Sequence, residues 1–396
     1  MDAPKLRFPE FSGSWKPAKA GEAFRNSRVK GREGLPIYSV TMDRGMVRRD
    51  SIGREIEADA ADGANLRALP GDLAYNMMRM WQGAVGRAPE ECMVSPAYVV
   101  LSPKPGVASD FFEHWFKSKR MLYLLRAYSQ GLTSDRLRLY FDDFAKIPLR
   151  IPSDLEQSKI AALLSSASSK LVQLERRCEL LKKYKGGVAR KIFRQEIRFR
   201  SSDGRDYPEW DVVELGSLAS KVKGKNKDGA LTNVLTNSAT KGVVSQSDYF
   251  DREIVNGDNL HGYYVVEKDD FVYNPRISVS APVGPVKRNR AVRGVMSPLY
   301  TVFRFSDGNL TFLEQYFESW EWHDYMRSVA NSGARHDRMN VTADDFFGLP
   351  IPLPSPEEQN RIADFLASLD AKIREAETVL ENARRYRDGL LQQMYV

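Results

Sequence analysis

The chain is poor in what several function classes require. It has two cysteines, Cys92 and Cys178, in 396 residues. They are far apart and match no metal or redox spacing, which argues against a disulfide scaffold or a Cys-based zinc site and fits a reducing cytoplasm. No run approaches the roughly 18 apolar residues of a membrane helix. The segment Met1–Phe11 is short and polar with no apolar stretch, so it does not read as a secretory signal. The four histidines (His114, His261, His323, His336) share no metal-binding spacing. There is no phosphate-binding Gly-x-x-x-x-Gly-Lys loop, no dinucleotide glycine turn and no Gly-x-Ser-x-Gly elbow. Asn274-Pro275-Arg276 lacks the second proline and the aromatic of an amino-methyltransferase loop. It reads instead as a turn at a strand end, with the Asn serving backbone groups. Nothing here marks a catalytic centre, a bound cofactor or a metal.

What is present is ordinary globular composition, 42% hydrophobic and 28% charged, with an uneven net charge of +7. Residues 1–152 carry +6, 153–200 carry +7, 201–354 carry −4 and 355–396 carry −2. The first half suits a polyanion; the second can hold one only through a local patch.

The chain also repeats itself. Asp142-Asp143-Phe144, Pro148, Pro152-Ser153, Glu156-Gln157 and Ile160-Ala161 recur 202 residues later as Asp344-Asp345-Phe346, Pro350, Pro354-Ser355, Glu358-Gln359 and Ile362-Ala363. Upstream, Gly131, Asp135 and Arg136 meet Gly333, Asp337 and Arg338, and Tyr98 meets Tyr300. Further back the offset slips to 198, where Asp72 and Tyr75-Asn76 meet Asp270 and Tyr273-Asn274. This predicts a globular unit over 1–152, a helix over 153–200, a second unit over 201–354 and a second helix over 355–396. Shared junctions with divergent interiors suggest one task performed on two targets.

Each unit ends in a Pro-spaced extended segment, and a Ser-x-x-Glu pattern follows that predicts a capping box. The apolar register then steps by four and three, as in a coiled coil. It runs Ile160, Leu164, Ala167, Leu171, Leu174, Cys178, Leu181, Val188 and Ile192. Adding 202 gives Ile362, Leu366, Leu369, Ile373, Ala376, Leu380, Ala383, Leu390 and Met394. The polar slot Lys185 falls on Arg387. An antiparallel pair of the two helices is expected; a parallel pair, or pairing with another protein, also satisfies the heptads. Gly186-Gly187 predicts a kink or close packing.

Candidate nucleic-acid contacts are cationic, because phosphates need charge and base edges need forked donors. Arg25, Arg28, Lys30 and Arg32 cluster in a loop, and Arg44, Arg48 and Arg49 follow an expected strand over 35–41. In the second unit Lys221, Lys223, Lys225 and Lys227 alternate. Lys241 stands at the turn equivalent to Arg44, and Lys287, Arg288, Arg290 and Arg293 form a run. The loops ending in Asp135-Arg136 and Arg335-His336-Asp337-Arg338 have two readings, an ion pair fixing the loop or an arginine offered to DNA. The aromatic helices near Phe111–Phe116 and Phe312–Trp322 are expected to supply core.

The opening Phe8 to Trp15, the segment Asp345 to Ile362 and the two-unit layout resemble the specificity subunit of a type I DNA restriction–modification system, over the whole chain. The resemblance implies an α+β fold. Two mixed α/β target-recognition domains stand in tandem, each followed by a long helix, and the helices pair as an antiparallel coiled coil with pseudo-two-fold symmetry. It implies that the chain reads a two-part site in double-stranded DNA without catalytic residues of its own. Two methyltransferase subunits are implied as partners, carrying S-adenosylmethionine, with restriction subunits carrying ATP and Mg as optional further partners. It implies a cytoplasmic protein with no membrane contact. The alternatives are a coiled-coil adaptor that binds only proteins and a stand-alone DNA methyltransferase or nuclease.

Overall fold

The structure, a computed structural model, describes residues 3–51, 64–133, 136–249, 257–290, 292–331 and 337–396. The chain divides into two compact units, unit 1 from Met1–Arg176 with Glu377–Val396 and unit 2 from Arg177–Ala376. The division falls inside both long helices, so each unit holds one recognition domain and parts of both helices.

In unit 1 the strands are β1 (Lys16–Lys19), β2 (Phe24–Ser27), β3 (Ile37–Thr41), β4 (Gly45–Arg48), β5 (Leu66–Ala68), β6 (Leu73–Asn76), β7 (Val85–Arg87), β8 (Cys92–Val94), β9 (Tyr98–Pro103) and β10 (Pro148–Ile151). They form sheets ordered β1-β10, β2-β9-β6-β7 and β4-β3-β8-β5. In unit 2 the strands are β11 (Asp211–Glu214), β12 (Ala219–Lys221), β13 (Val234–Ser238), β14 (Gly242–Ser245), β15 (Tyr264–Val266), β16 (Phe271–Tyr273), β17 (Val286–Arg288), β18 (Gly294–Met296), β19 (Thr301–Phe305) and β20 (Pro350–Leu353). Their sheets are ordered β11-β20, β12-β19-β16-β17 and β14-β13-β18-β15. Each strand of unit 1 is matched by the strand ten places later, down to the single parallel pair in each copy, β3 with β8 and β13 with β18. The sequence repeat is therefore a repeat of topology. The Pro-spaced segments become β10 and β20, each in a two-stranded sheet, where a missing amide is tolerated.

The aromatic helices supply core, as their spacing suggests. Phe111, Phe112, Trp115 and Phe116 are fully buried, and Trp15 meets Trp115 edge-on at 6.1 Å. In unit 2, Phe312, Tyr316, Phe317 and Trp322 fill the same role. Phe144 and Phe346 of the repeated Asp-Asp-Phe pack on Tyr75 and Tyr273, the latter pair stacked at 4.8 Å.

Two long helices follow, Asp154–Phe193 and Pro356–Gln393. Every position of the apolar seam in both is buried or half-buried. In unit 1, Ile160 and Leu164 from the start of the first helix share a core with Leu390 and Met394 from the end of the second, while Glu175 meets Arg384 at 2.7 Å. In unit 2, Ile192 from the end of the first helix shares a core with Ile362 and Leu366 from the start of the second. The helices thus pair antiparallel. Lys185, the polar slot of the seam, donates to Asp370 at 2.6 Å, and Gln315 donates to the other oxygen of that carboxylate at 2.7 Å. Arg387 turns instead to its neighbour Asp388. At Gly186-Gly187 the helix runs on without interruption, and the close packing expected there is absent, since nothing lies where their side chains would be. Helical bonding on either side carries the glycines at a cost of roughly 1 kcal/mol each.

The capping boxes are corrected more instructively. Ser153 accepts from the Glu156 amide at 3.4 Å, but Ser355 Oγ has no partner. Neither glutamate returns to its cap. Buried Glu156 accepts two bonds from Arg7, at 2.7 and 2.8 Å, and one from Trp15 Nε1 at 3.2 Å. Buried Glu358 does the same with Arg198 (3.2 and 2.8 Å) and Trp210 Nε1 (2.9 Å). The adjacent glutamines are buried too. Gln157 accepts from the Ala108 amide at 2.9 Å, and Gln359 from the Asn309 amide at 2.8 Å. Each Glu-Gln pair therefore bolts the start of a long helix to the entry segment and to the aromatic helix of its own domain. A carboxylate buried this deeply needs a forked, charged partner, and in both copies an arginine supplies it.

Candidate nucleic-acid interface

Some of the predicted cations meet carboxylates of their own domain, and others stand at turns and strand ends. In unit 2 the run after Gly284 is consumed. Lys287 bonds Glu318 at 2.5 Å, Arg288 bonds Asp269 at 2.7 Å, and Arg290 bonds Glu314 from Nε at 2.9 Å. The Glu314 hydrogen bond holds the Arg290 guanidinium above its ordinary pKa. Arg293 pairs with Glu267 at 2.8 Å, and Arg304 pairs with the buried Asp270 at 2.6 Å. Five carboxylates of this domain are thus paired with Lys287, Arg288, Arg290, Arg293 and Arg304. Lys287 and Arg288 are mostly buried against their partners, which limits their reach toward a ligand.

The remaining cations lie elsewhere. Arg44 and Lys241 occupy the equivalent tight turns of the β3–β4 and β13–β14 hairpins, before Gly45 (φ +64) and Gly242 (φ +73). A positive φ at these turns is what glycine supplies without strain. Arg44 is exposed, with Asp43 3.8 Å away. Arg48 pairs with Asp50 at 3.0 Å, and Arg49 opens the short turn that follows. Arg335 falls outside the described residues, as does Asp135. Arg136 is exposed, and its amide closes a turn onto Thr133 O at 3.0 Å.

Arg338 is the most informative. It pairs across an antiparallel bridge with Arg276, held by bonds from the Ile277 amide to Asp337 O (3.0 Å) and from the Met339 amide to Pro275 O (2.8 Å). Unit 1 has the matching bond, from the Leu139 amide to Met77 O at 2.9 Å. By this bond Arg138 stands where Arg338 does, whereas the bonds from the Gln130 amide to Arg138 O and from the Asn331 amide to Asn340 O set Arg138 level with Asn340, and so Arg136 level with Arg338. Arg138 and Arg276 both escaped the sequence reading. Arg276 was legible in principle, since it stands two places after the Asn274 that both repeats share.

Arg276 and Arg338 border a cleft of about 600 Å³ beside the ends of β13 and β16. Its wall carries Thr236, Ser238, Asn274 and Tyr300, and Tyr300 Oη lies 3.3 Å from Thr236 Oγ1. As the turn reading required, Asn274 is a backbone fixture. Its Oδ1 accepts the Arg276 amide at 3.0 Å, and its Nδ2 donates to Asn237 O at 3.0 Å. Asn76 does the first of these in unit 1, accepting the Met78 amide at 2.9 Å. The cleft offers cations, hydroxyls and amides. It offers no nucleophile paired with a base.

The chemistry elsewhere is equally quiet. Burial pushes the Cys92 thiol up to about 12, which keeps it inert. Burial pulls His323 down to about 4. No group of three His, Cys, Asp or Glu among the described residues is placed to hold a metal, and no described helix is long and apolar enough to cross a membrane.

A family model for the type I restriction modification DNA specificity domain matches residues 207–382. Over those residues the chain is similar to that family. A Methanocaldococcus jannaschii protein named as the type I restriction enzyme MjaX specificity subunit is 23% identical, over 90% of this chain and 86% of its own length. The MjaIX specificity subunit of the same organism is 24% identical, over 51% of this chain and 50% of its own length. The solved S subunit of a type I system from M. genitalium superposes with a TM-score of 0.58 at 15% identity, covering 100% of this chain and 99% of that one. A chain from a structure describing assembly and conformational transition of a type I system gives 0.54 at 15% identity, covering 97% and 98%. These structures share the fold.

Proposed function

We propose that each unit reads one half of a two-part site in duplex DNA, and that the chain thereby selects where modification and restriction subunits act. The observation that carries this is the duplicated topology: two copies of one strand order, each bolted by the same Glu-Gln pair to a long helix. Two modules of one frame with different faces suit two short sequences of one chemical kind. Major-groove edges distinguish all four base pairs, and phosphate contacts fix the register. Arg44, Arg136 and Arg138 in unit 1, with Lys241, Arg276 and Arg338 in unit 2, are the cations we assign to DNA.

Two methyltransferase subunits would bring S-adenosylmethionine and extrude the target base from the stack. Restriction subunits would bring ATP-driven cleavage. The chain itself does no chemistry and works in the cytoplasm. Paired helices of about 40 residues, roughly 60 Å at 1.5 Å per residue, act as the spacer between the two half-sites.

The test is insertion of one heptad into each long helix. The methylated site should keep both halves and change only the gap between them. An unchanged gap contradicts the spacer. Methyl transfer or cleavage by the purified chain alone would instead make it an enzyme.

A further inference from the structure

Arg276 and Arg338 face each other at a non-hydrogen-bonded position of an antiparallel bridge, where side chains approach most closely. Like charges directly opposite are destabilising. Asp337 offsets them only loosely, at 3.7 Å from Arg276 and 3.8 Å from Arg338. The backbone beneath is rigid. Asn274 fixes the strand end, and Gly284 (φ +81) packs so tightly that a Cβ there would fall 2.1 Å from Asn274 O. Two guanidiniums are thus held together at the border of a polar cleft, with Arg276 65% exposed.

The repeat sorts their roles. Unit 1 keeps the turn, with Asn76 holding the Met78 amide, and the bond from the Leu139 amide to Met77 O sets an arginine, Arg138, across from it. It replaces Arg276 with Met78. What the copies share should serve what two DNA half-sites share, the phosphate backbone. What differs should serve what differs, the bases.

We infer that Arg276 is a specificity-determining residue that reads a guanine in the second half-site, its fork directed at O6 and N7, while Arg338 beside it holds phosphate. This rests on the specificity-subunit reading and deepens it. A forked pair with guanine is the commonest specific arginine contact in a major groove.

The experiment uses the full chain in complex with its modification subunit. Methylation rates are measured on duplexes carrying all four base pairs at each position of the second half-site. The variants are Arg276→Met, which installs the unit 1 side chain, and Arg276→Lys, which keeps the charge and loses the fork. Both should relax the guanine preference at one position of the second half-site roughly 10-fold and leave the first half-site untouched. Should the Met variant fail to fold, the Lys variant alone decides. Full discrimination retained by the folded variants at every position overturns the inference. So does an equal loss on all sequences, which would make Arg276 a phosphate contact. If the unaltered complex shows no sequence preference, the underlying reading falls, and this inference with it.

Discussion

The two recognition domains share their strand order and their bolts, and they differ in how they spend arginine. Unit 1 is basic overall, and Arg44 and Arg136 are exposed to solvent. The second domain, residues 201–354, is acidic overall, and its densest cationic run meets glutamates and aspartates of the same domain. The cations at its cleft are Arg276 and Arg338, on one bridge. The comparison teaches that net charge is a poor guide to a binding face. What counts is which cations remain after internal partners are served.

The largest expected effect tests the sameness of the bolts. Glu156→Ala and Glu358→Ala each remove a buried carboxylate and orphan an arginine and an indole N–H. Each should cost about 3 kcal/mol in urea unfolding of the full chain. A large loss from one and none from the other would break the equivalence of the copies.

The next effect separates them. His323 is buried in unit 2 with Nδ1 unpartnered, and its pKa lies below its unfolded value of 6.5 because burial, then Arg327, disfavours the cation. The unfolded state therefore binds the extra proton. Stability should be complete above about pH 6.5 and fall as pH drops toward about 4. The loss is of order 1–3 kcal/mol. In unit 1 His114 is also held low by burial but is bonded to Ser165 at 3.0 Å, so the deeper acid sensitivity belongs to unit 2. His323→Phe should flatten the acid limb of the stability curve. An unchanged limb would remove His323 as its cause.

Smaller effects concern DNA. Arg138→Ala and Arg338→Ala should weaken binding on all sequences alike and reduce the salt slope by about one each. Loss confined to one base sequence would mean that Arg338 reads bases as well. Least affected should be Arg290→Ala. Its fork is committed to Glu314, so DNA affinity should stay within about twofold, the range of a surface change. A drop comparable to Arg338→Ala would return the consumed run to the interface.

Much of the architecture was legible because it is written in local terms. Prolines at alternate positions, a polar-to-apolar switch and four-three spacing each announce an element within a few residues. Their recurrence at a fixed offset announces two copies. The purpose of Glu156 and Glu358 was not legible. A capping box is the nearest local explanation, but the winning partners, Arg7 and Arg198, lie 149 and 160 residues away. The candidate site was legible as a charge type and not as a selection. No local rule shows that Glu314 and Glu318 stand over the Lys287–Arg290 run, or that Arg276 opposes Arg338.

The most direct measurement is single-molecule sequencing of methylated DNA from cells carrying this chain with its modification subunit, against cells lacking the chain. The account predicts two short specific blocks separated by a gap of fixed length, with both blocks disappearing when the chain is deleted. One continuous recognition block, or methylation that persists without the chain, would contradict it.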